Sequence, residues 1–416
     1  MKALIFDPTI PRFAITKALG AVRSNATWGR FSPLKLVDVP DPPLPRGDWV
    51  RVQVRLGGIC GSDLHTIHLD SSPALSALTS FPFVLGHENV GTIAETGGDV
   101  HDLRAGQRVT VEPALPCQAR GIAPPCVYCA AGDYHLCLRY TDGHLSAGLM
   151  IGACRDTGGS WGTSFVAHRS QVFPLEDEIA DANALLAEPM ACALHPLLRH
   201  PLAPEATVLV IGGGSIGQCA IASLRAAARG ARVIALVKHP FQGEMARRLG
   251  ADEVVHLGRG DVHYNAIAKL TGATLRKPML GKRVMIGGVD MTMECVGAGR
   301  SIDDALRLTR PGGRVILLGL ASIPREVDWT PIWLKELQVT GSYIYGVENW
   351  QGRRIRTMEL VLEWMGQGSV DLSPLVTHRF PLDAYPLALE TAMGKAESKA
   401  FKVVFQPNGG PVISDQ

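Results

Sequence analysis

Thr207-Val-Leu-Val-Ile211 runs directly into Gly212-Gly213-Gly214-Ser215-Ile216-Gly217, and this join decides the fold. An apolar, β-branched run of this length reads as a buried strand. Ile216 to Arg229 then takes up a helical period, and Ala231 to Val237 returns to strand character. Strand, glycine turn, helix and second strand make one βαβ unit. Further strand candidates at Glu253 to Leu257, Val289 to Cys295, Gly313 to Leu320 and Gln338 to Ser342 alternate with helical stretches. That alternation predicts an α/β fold built on a doubly wound parallel sheet.

The texture on either side of this region differs. The first half is rich in short Val/Ile runs broken by Pro and Gly, such as Trp49 to Leu56 and Gln107 to Val111, which predicts a β-rich, barrel-like domain with few helices. The boundaries read as 1–193 for that domain, 194–341 for the doubly wound sheet, and 342–416 for a return of the chain to the first domain. Ala18 to Ser32, Ser71 to Ser80 and Thr271 to Gly287 read as loop elaborations, and the tail from Asn408 is expected to fray. No internal repeat or low-complexity tract is present.

Composition narrows the function classes. With 416 residues, 46% of them hydrophobic, the chain is large enough for two cores. Its 41 Lys and Arg nearly balance 39 Asp and Glu, for a formal net charge of +2. No broad field points to nucleic acid or an anionic membrane, so a small-molecule partner is expected. The amino terminus breaks at Asp7-Pro8, and no later run approaches the ~20 apolar residues of a membrane span, so the expected location is cytoplasmic. Four of the nine cysteines crowd between 117 and 137, which in a reducing compartment points to metal rather than disulfides.

Gly212, Gly214 and Gly217 satisfy G-x-G-x-x-G between a strand and a helix, with Ser215 and Ile216 inside the motif. There the glycines permit a tight turn and let backbone amides approach a pyrophosphate. An acid about 20 residues further on binds the adenosine ribose in NAD sites. Here that place holds Val237, then Lys238 and His239. A cation suits a ribose 2′-phosphate, so Lys238 leans the expected cofactor from NAD toward NADP; its plainer role is a solvated surface lysine.

Cys60-Gly-Ser62-Asp63-Leu-His65 follows a predicted strand, and Gly86-His87-Glu88 comes about 20 residues later. Thiolate, imidazole and carboxylate are ligand types that zinc accepts. Together with Glu188-Pro189 and the glycine turn at 212 to 217, in this order, these motifs resemble the zinc-containing medium-chain dehydrogenase/reductase superfamily over nearly the whole chain, and its polyol and threonine dehydrogenase branch in particular. The resemblance implies a GroES-like catalytic domain beside a Rossmann domain, and a zinc-dependent oxidoreductase moving a hydride between an alcohol- or polyol-type hydroxyl, or its carbonyl, and NAD(P). It implies Cys60 and His87 as catalytic zinc ligands and Glu188 as the third, with Glu88 as the competing carboxylate. Asp63 resembles the acid that orients the zinc-bound imidazole. Ser62 and His65 resemble a hydroxyl-to-imidazole proton relay, for which His68 is an equally reachable substitute; His195 reads as structural.

Cys126-x2-Cys129-x7-Cys137 matches the last three ligands of the family's structural zinc lobe, here about 112–140. Cys117 would be the fourth, but eight residues separate it from Cys126 where the family has two. Either a longer loop closes the site or Cys117 is not a ligand. Cys154, Cys192, Cys219 and Cys295 read as buried small apolar residues. The resemblance thus implies two zinc ions per chain, one catalytic and one structural, with the reacting carbon at an interdomain cleft, in a homodimer or homotetramer. The alternatives are a zinc-free quinone or enoyl reductase on the same fold, and a catalytically silent binding protein.

Overall fold

The computed structural model describes residues 1–20, 24–409 and 413–414. Contacts divide the chain into two units. One holds Met1–Glu188, Tyr345–Val347 and Met358–Gln416; the other holds Pro189–Ile344 and Glu348–Thr357.

The first unit is organised on the strand Trp49–Gly58, whose side chains alternate until its last three residues, all buried. One edge of this strand pairs antiparallel with Asn89–Thr96. The other edge pairs first with Ser164–His168, through Trp49 to Gln53, and then with Lys402–Phe405, through Gly57 and Gly58. Leu4, Phe6, Trp161, Phe405 and Leu389 form one core of the unit. Trp49, Val52, Ile93, Val109 and Phe165 form another.

The second unit carries six parallel strands in the order Glu253–His256, Arg232–Val237, Thr207–Ile211, Val289–Glu294, Thr309–Leu317 and Gln338–Gly341. The chain winds outward from Thr207–Ile211 in one direction and then returns to build the other half from Val289. The reversal lies beside the glycine turn, where open α/β sheets bind their ligands. Leu209, Ile234, Tyr264, Ile302 and Val315 fill its core. This is the doubly wound sheet and the β-rich partner that the sequence required.

Three stretches read as loops carry structure instead. Residues 18–32 include the end of the helix Ile10–Gly20 and the 3-10 turn Ser24–Trp28, with 21–23 outside the described residues. Pro11 looks like a breaker, but it falls in the first helical turn, where its missing N–H is not needed. Pro73–Leu78 forms a second 3-10 turn. Thr274–Arg276 and Val284–Ile286 pair as an antiparallel ribbon with Met279 and Leu280 exposed between them. Two of the cysteines expected in cores, Cys192 and Cys295, are only half-buried, whereas Cys154 and Cys219 are buried. Asn408, where fraying was expected to begin, donates to Val54 O at 3.0 Å. Beyond Gly409, only the backbone of Ile413–Ser414 lies among the described residues.

Candidate functional site

The first cluster grows from the end of Trp49–Gly58. Cys60 precedes the helix Gly61–Ile67, and its amide donates to Asp63 Oδ2 at 2.9 Å. Asp63 therefore closes the first turn of the helix and at the same time stands with Oδ1 3.5 Å from His87 Nδ1. This leaves Nε2 as the ring nitrogen on the Ser62 side, 3.5 Å from Ser62 Oγ. The ligand atoms of Cys60, His87 and Glu88 all lie within 4.8 Å of one another. Burial works against charge on His87, but Asp63 and the Cys60 thiol outweigh it and hold the imidazole well above its ordinary range.

Glu88 has a partner that the sequence reading did not find. Lys402 Nζ lies 2.6 and 2.7 Å from its two carboxylate oxygens and 3.2 Å from Ile59 O. The side chains of Lys402 and Glu88 are 3% and 1% exposed. Strand pairing brings them together: Asn89 and Phe405 both stand opposite Gly57, on either edge of the central strand. Gly58 leaves the space, since a Cβ there would run into Glu88 Oε2. The available signal was the run Lys402-Val-Val-Phe405, buried throughout despite its lysine.

Glu188 is buried in the first turn of the helix Ala187–Arg199. It stands outside the set of mutually close ligand atoms that Cys60, His87 and Glu88 form. Ser62 and His65, three residues apart, share one face of their helix, and no hydrogen bond joins their side chains. His68 is not an open substitute for His65. Its Nε2 is 2.7 Å from Met393 Sδ, its Nδ1 is 3.3 Å from Thr27 Oγ1, and the edge of Trp28 packs on it. His195 pairs through Nδ1 with Glu348 Oε1 at 2.5 Å, and Arg199 holds the other oxygen at 2.7 Å.

The second cluster gathers Cys117, Cys126, Cys129 and Cys137, with all four sulfurs within 4.8 Å of one another. The longer loop therefore does bring Cys117 to the others. The Cys126 amide donates to Cys117 Sγ at 3.4 Å and the Arg139 amide to Cys137 Sγ at 3.3 Å. A hydrogen bond from Cys129 pushes the Cys137 thiol down to about 5, and the same contact raises Cys129. Four sulfurs sharing protons in this way suit a soft divalent cation, and thiolate with imidazole and carboxylate suits zinc at the first cluster.

At the glycine turn, Gly212 takes φ +110°, a left-handed value that favours glycine. A Cβ on Gly217 would run into the carbonyl oxygen of Gly212. Gly214 caps the helix Ser215–Ala227, which begins with Ser215, Ile216 and Gly217, and leaves its first amides for an anion. Lys238 is exposed just past the strand Arg232–Val237, and no partner engages its ammonium group among the described residues. Gln242 Oε1 accepts the amides of Lys238 and His239 at 3.2 and 3.1 Å, fixing that turn.

Residues 46–177 match the alcohol dehydrogenase GroES-like domain family, and residues 215–359 match the zinc-binding dehydrogenase family. The L-idonate 5-dehydrogenase of Vitis vinifera is 30% identical over 86% of this chain and 87% of its own length. An L-threonine 3-dehydrogenase of Rhizobium etli is 31% identical over 95% of this chain and 97% of its own. The solved 2R,3R-butanediol dehydrogenase of Bacillus subtilis matches with a TM-score of 0.69 and 25% identity, covering 98% of this chain and 99% of that one. The chain belongs to the zinc-containing medium-chain dehydrogenase/reductase superfamily, and its relatives make it an alcohol- or polyol-type dehydrogenase.

Proposed function

We propose that the protein is a zinc- and NAD(P)-dependent dehydrogenase of small secondary alcohols, taken from polyols, sugar acids or hydroxy amino acids. The observation that carries this reading is the close approach of the half-buried Cys60 thiol to the buried His87 imidazole, with the Glu88 carboxylate beside them, in a chain that also has a glycine-turn nucleotide site. It leaves a zinc-free reductase without a use for those ligands.

Cys60, His87 and one carboxylate would hold a catalytic zinc. Bound there, zinc supplies a Lewis acid that lowers the pKa of a substrate hydroxyl toward neutrality. Glu188 is our choice for the carboxylate: both oxygens of Glu88 already accept from Lys402, so ligation by Glu88 would compete with a buried ion pair. The other residues orient and move protons. Asp63 fixes the His87 ring through Nδ1. Ser62 Oγ takes the substrate proton, and His65, one turn along the same helix, delivers it to solvent. Cys117, Cys126, Cys129 and Cys137 would hold a second, structural zinc, which does no chemistry.

The amides at Gly214, Ser215, Ile216 and Gly217 would hold the cofactor pyrophosphate. The free ammonium of Lys238, with no acid at the end of its strand, favours NADP over NAD. We place the enzyme in the cytoplasm as a homodimer or homotetramer. The edge of Gln338–Gly341, which pairs with no further strand among the described residues, and the exposed Trp333 and Leu334 are features that an oligomer would cover. No described helix is long and apolar enough to cross a membrane.

The test is a panel of polyols, sugar acids, threonine and simple secondary alcohols, assayed by nicotinamide absorbance with NAD and with NADP. Turnover of at least one hydroxyl substrate is expected, faster with NADP. Reduction of quinones or enones with no alcohol oxidation would overturn the reading.

A further inference from the structure

The loop that lengthens the gap between Cys117 and Cys126 contains a residue that neither clustered chemistry nor nucleotide binding uses. Arg120 is fully buried. Its Nε donates to Leu115 O at 3.0 Å, its Nη1 to Asp142 O at 2.9 Å and Leu145 O at 3.2 Å, and its Nη2 to Ser146 O at 3.1 Å and Gly148 O at 2.6 Å. These five contacts match the full donor inventory of a guanidinium. Every acceptor is a main-chain carbonyl and none is a carboxylate.

The loop is folded to aim that side chain inward. Ile122 N donates back to Cys117 O at 2.9 Å, and Gly121, at φ +64°, turns the chain. Arg120 O lies 2.8 Å from His144 Nδ1. The backbone of Arg120 and its guanidinium thus both hold residues 142–148, the segment that follows Cys137.

A guanidinium keeps its charge in proteins, and a buried charge needs compensation beyond neutral carbonyls. Burial pulls the pKa of Arg120 down, and the groups that oppose this are led by the thiols of Cys154 and Cys137, ahead of Asp142 and Asp156. Zinc on four thiolates carries a net charge of about −2, which itself calls for a cation in a buried lobe. The guanidinium sits in the loop that joins Cys117 to Cys126, so the cation and the thiolates that zinc would gather belong to one lobe and are of opposite sign.

We propose that Arg120 is the internal counter-cation of the four-cysteine centre, and that the lengthened loop exists to deliver it. Its five bonds shape the lobe, and its charge retains the metal. This rests on the reading that the four cysteines hold zinc.

Full-length Arg120→Lys and Arg120→Gln, purified with zinc, separate the two roles. Both lose the five-bond fork, and both should melt earlier; only Lys keeps the charge. Zinc transfer to a chromophoric chelator is followed, and the lobe phase is identified as the one missing in Cys126→Ser. The Gln variant should release lobe zinc at least about tenfold faster than the Lys variant, in the range seen when outer-sphere partners of metal sites are removed. Equal rates for Lys and Gln would overturn the proposal. Should Gln fail to fold, Lys decides alone: lobe zinc held at the wild-type rate despite a lower Tm supports the counter-cation, and fast loss refutes it. A wild-type zinc content that Cys126→Ser leaves unchanged would refute the four-cysteine reading itself, whereas a lobe phase that is present but equal in Lys and Gln would refute only the role of Arg120.

Discussion

Replacing Lys402 with methionine keeps the aliphatic stem in its strand and removes the ammonium group from both oxygens of Glu88. The ion pair is formed at 2.6 and 2.7 Å with both partners almost fully buried, so solvent cannot take the place of the lost charge. Stranding one member of such a pair costs about 3–5 kcal/mol. For a unit of this size that corresponds to a fall in Tm of roughly 6–20 °C. Calorimetry of wild type, Lys402→Met, Glu88→Gln and the double variant gives the coupling. Each single change leaves a buried charge or its partner unmatched, whereas the double change leaves no buried charge and only the neutral amide of Glu88→Gln, so the double variant should recover about 2–3 kcal/mol relative to the sum of the singles. The same change frees Glu88 beside Cys60 and His87, so the visible spectrum of the cobalt-substituted protein should shift as a ligand is exchanged. Additive melting effects with an unchanged cobalt spectrum would refute the idea that Lys402 holds Glu88 away from the metal.

Other outcomes follow from the same geometry. Glu188→Gln should lower catalytic zinc content and abolish turnover, measured by metal analysis and activity, whereas Glu88→Gln should leave zinc in place; the reverse pattern would exchange their roles. Lys238→Ala should weaken NADP about tenfold, the loss of one charge-assisted contact, and leave NAD unchanged in fluorescence titrations. Gly217→Val drives a side chain into the Gly212 carbonyl and should eliminate binding of either cofactor in the same titration, while the zinc count holds. Burial lowers Lys335 from 10.5 to about 8, while Nζ donates to Arg307 O and Thr309 O. Because the unfolded chain binds the extra proton between these values, this group raises stability as pH climbs from about 8 toward 10.5. Urea unfolding should therefore show wild type gaining on Lys335→Met across that window.

How far the sequence spoke depended on the distance over which its signals act. The glycine turn was legible because strand, turn and helix are contiguous, and each glycine answers a local need, as Gly212 and Gly217 do. Cys60, Asp63 and His87 were legible because residue type and spacing restrict them to few chemistries. The four cysteines were legible despite the wrong spacing, since eight residues of loop can fold back on themselves as Ile122 does on Cys117. Lys402 was not, because the pairing that sets it against Glu88 joins residues 314 apart and no local pattern encodes that register. Arg120 was missed for a different reason: an arginine in a Pro-rich loop normally faces water, and only the folded lobe supplies the carbonyls that bury it. The helix Ile10–Gly20 escaped because its Pro and its mixed faces hide the period.

The central claim is a metal gripped by Cys60 and His87. Metal analysis of freshly purified, active wild type beside Cys60→Ser tests it most directly. Two zinc ions per wild-type chain are expected, one in the variant, and no turnover by the variant even though it still binds NADP. Active wild-type protein with no zinc beyond the four-cysteine lobe, or a Cys60→Ser enzyme that still oxidises its alcohol, would contradict it.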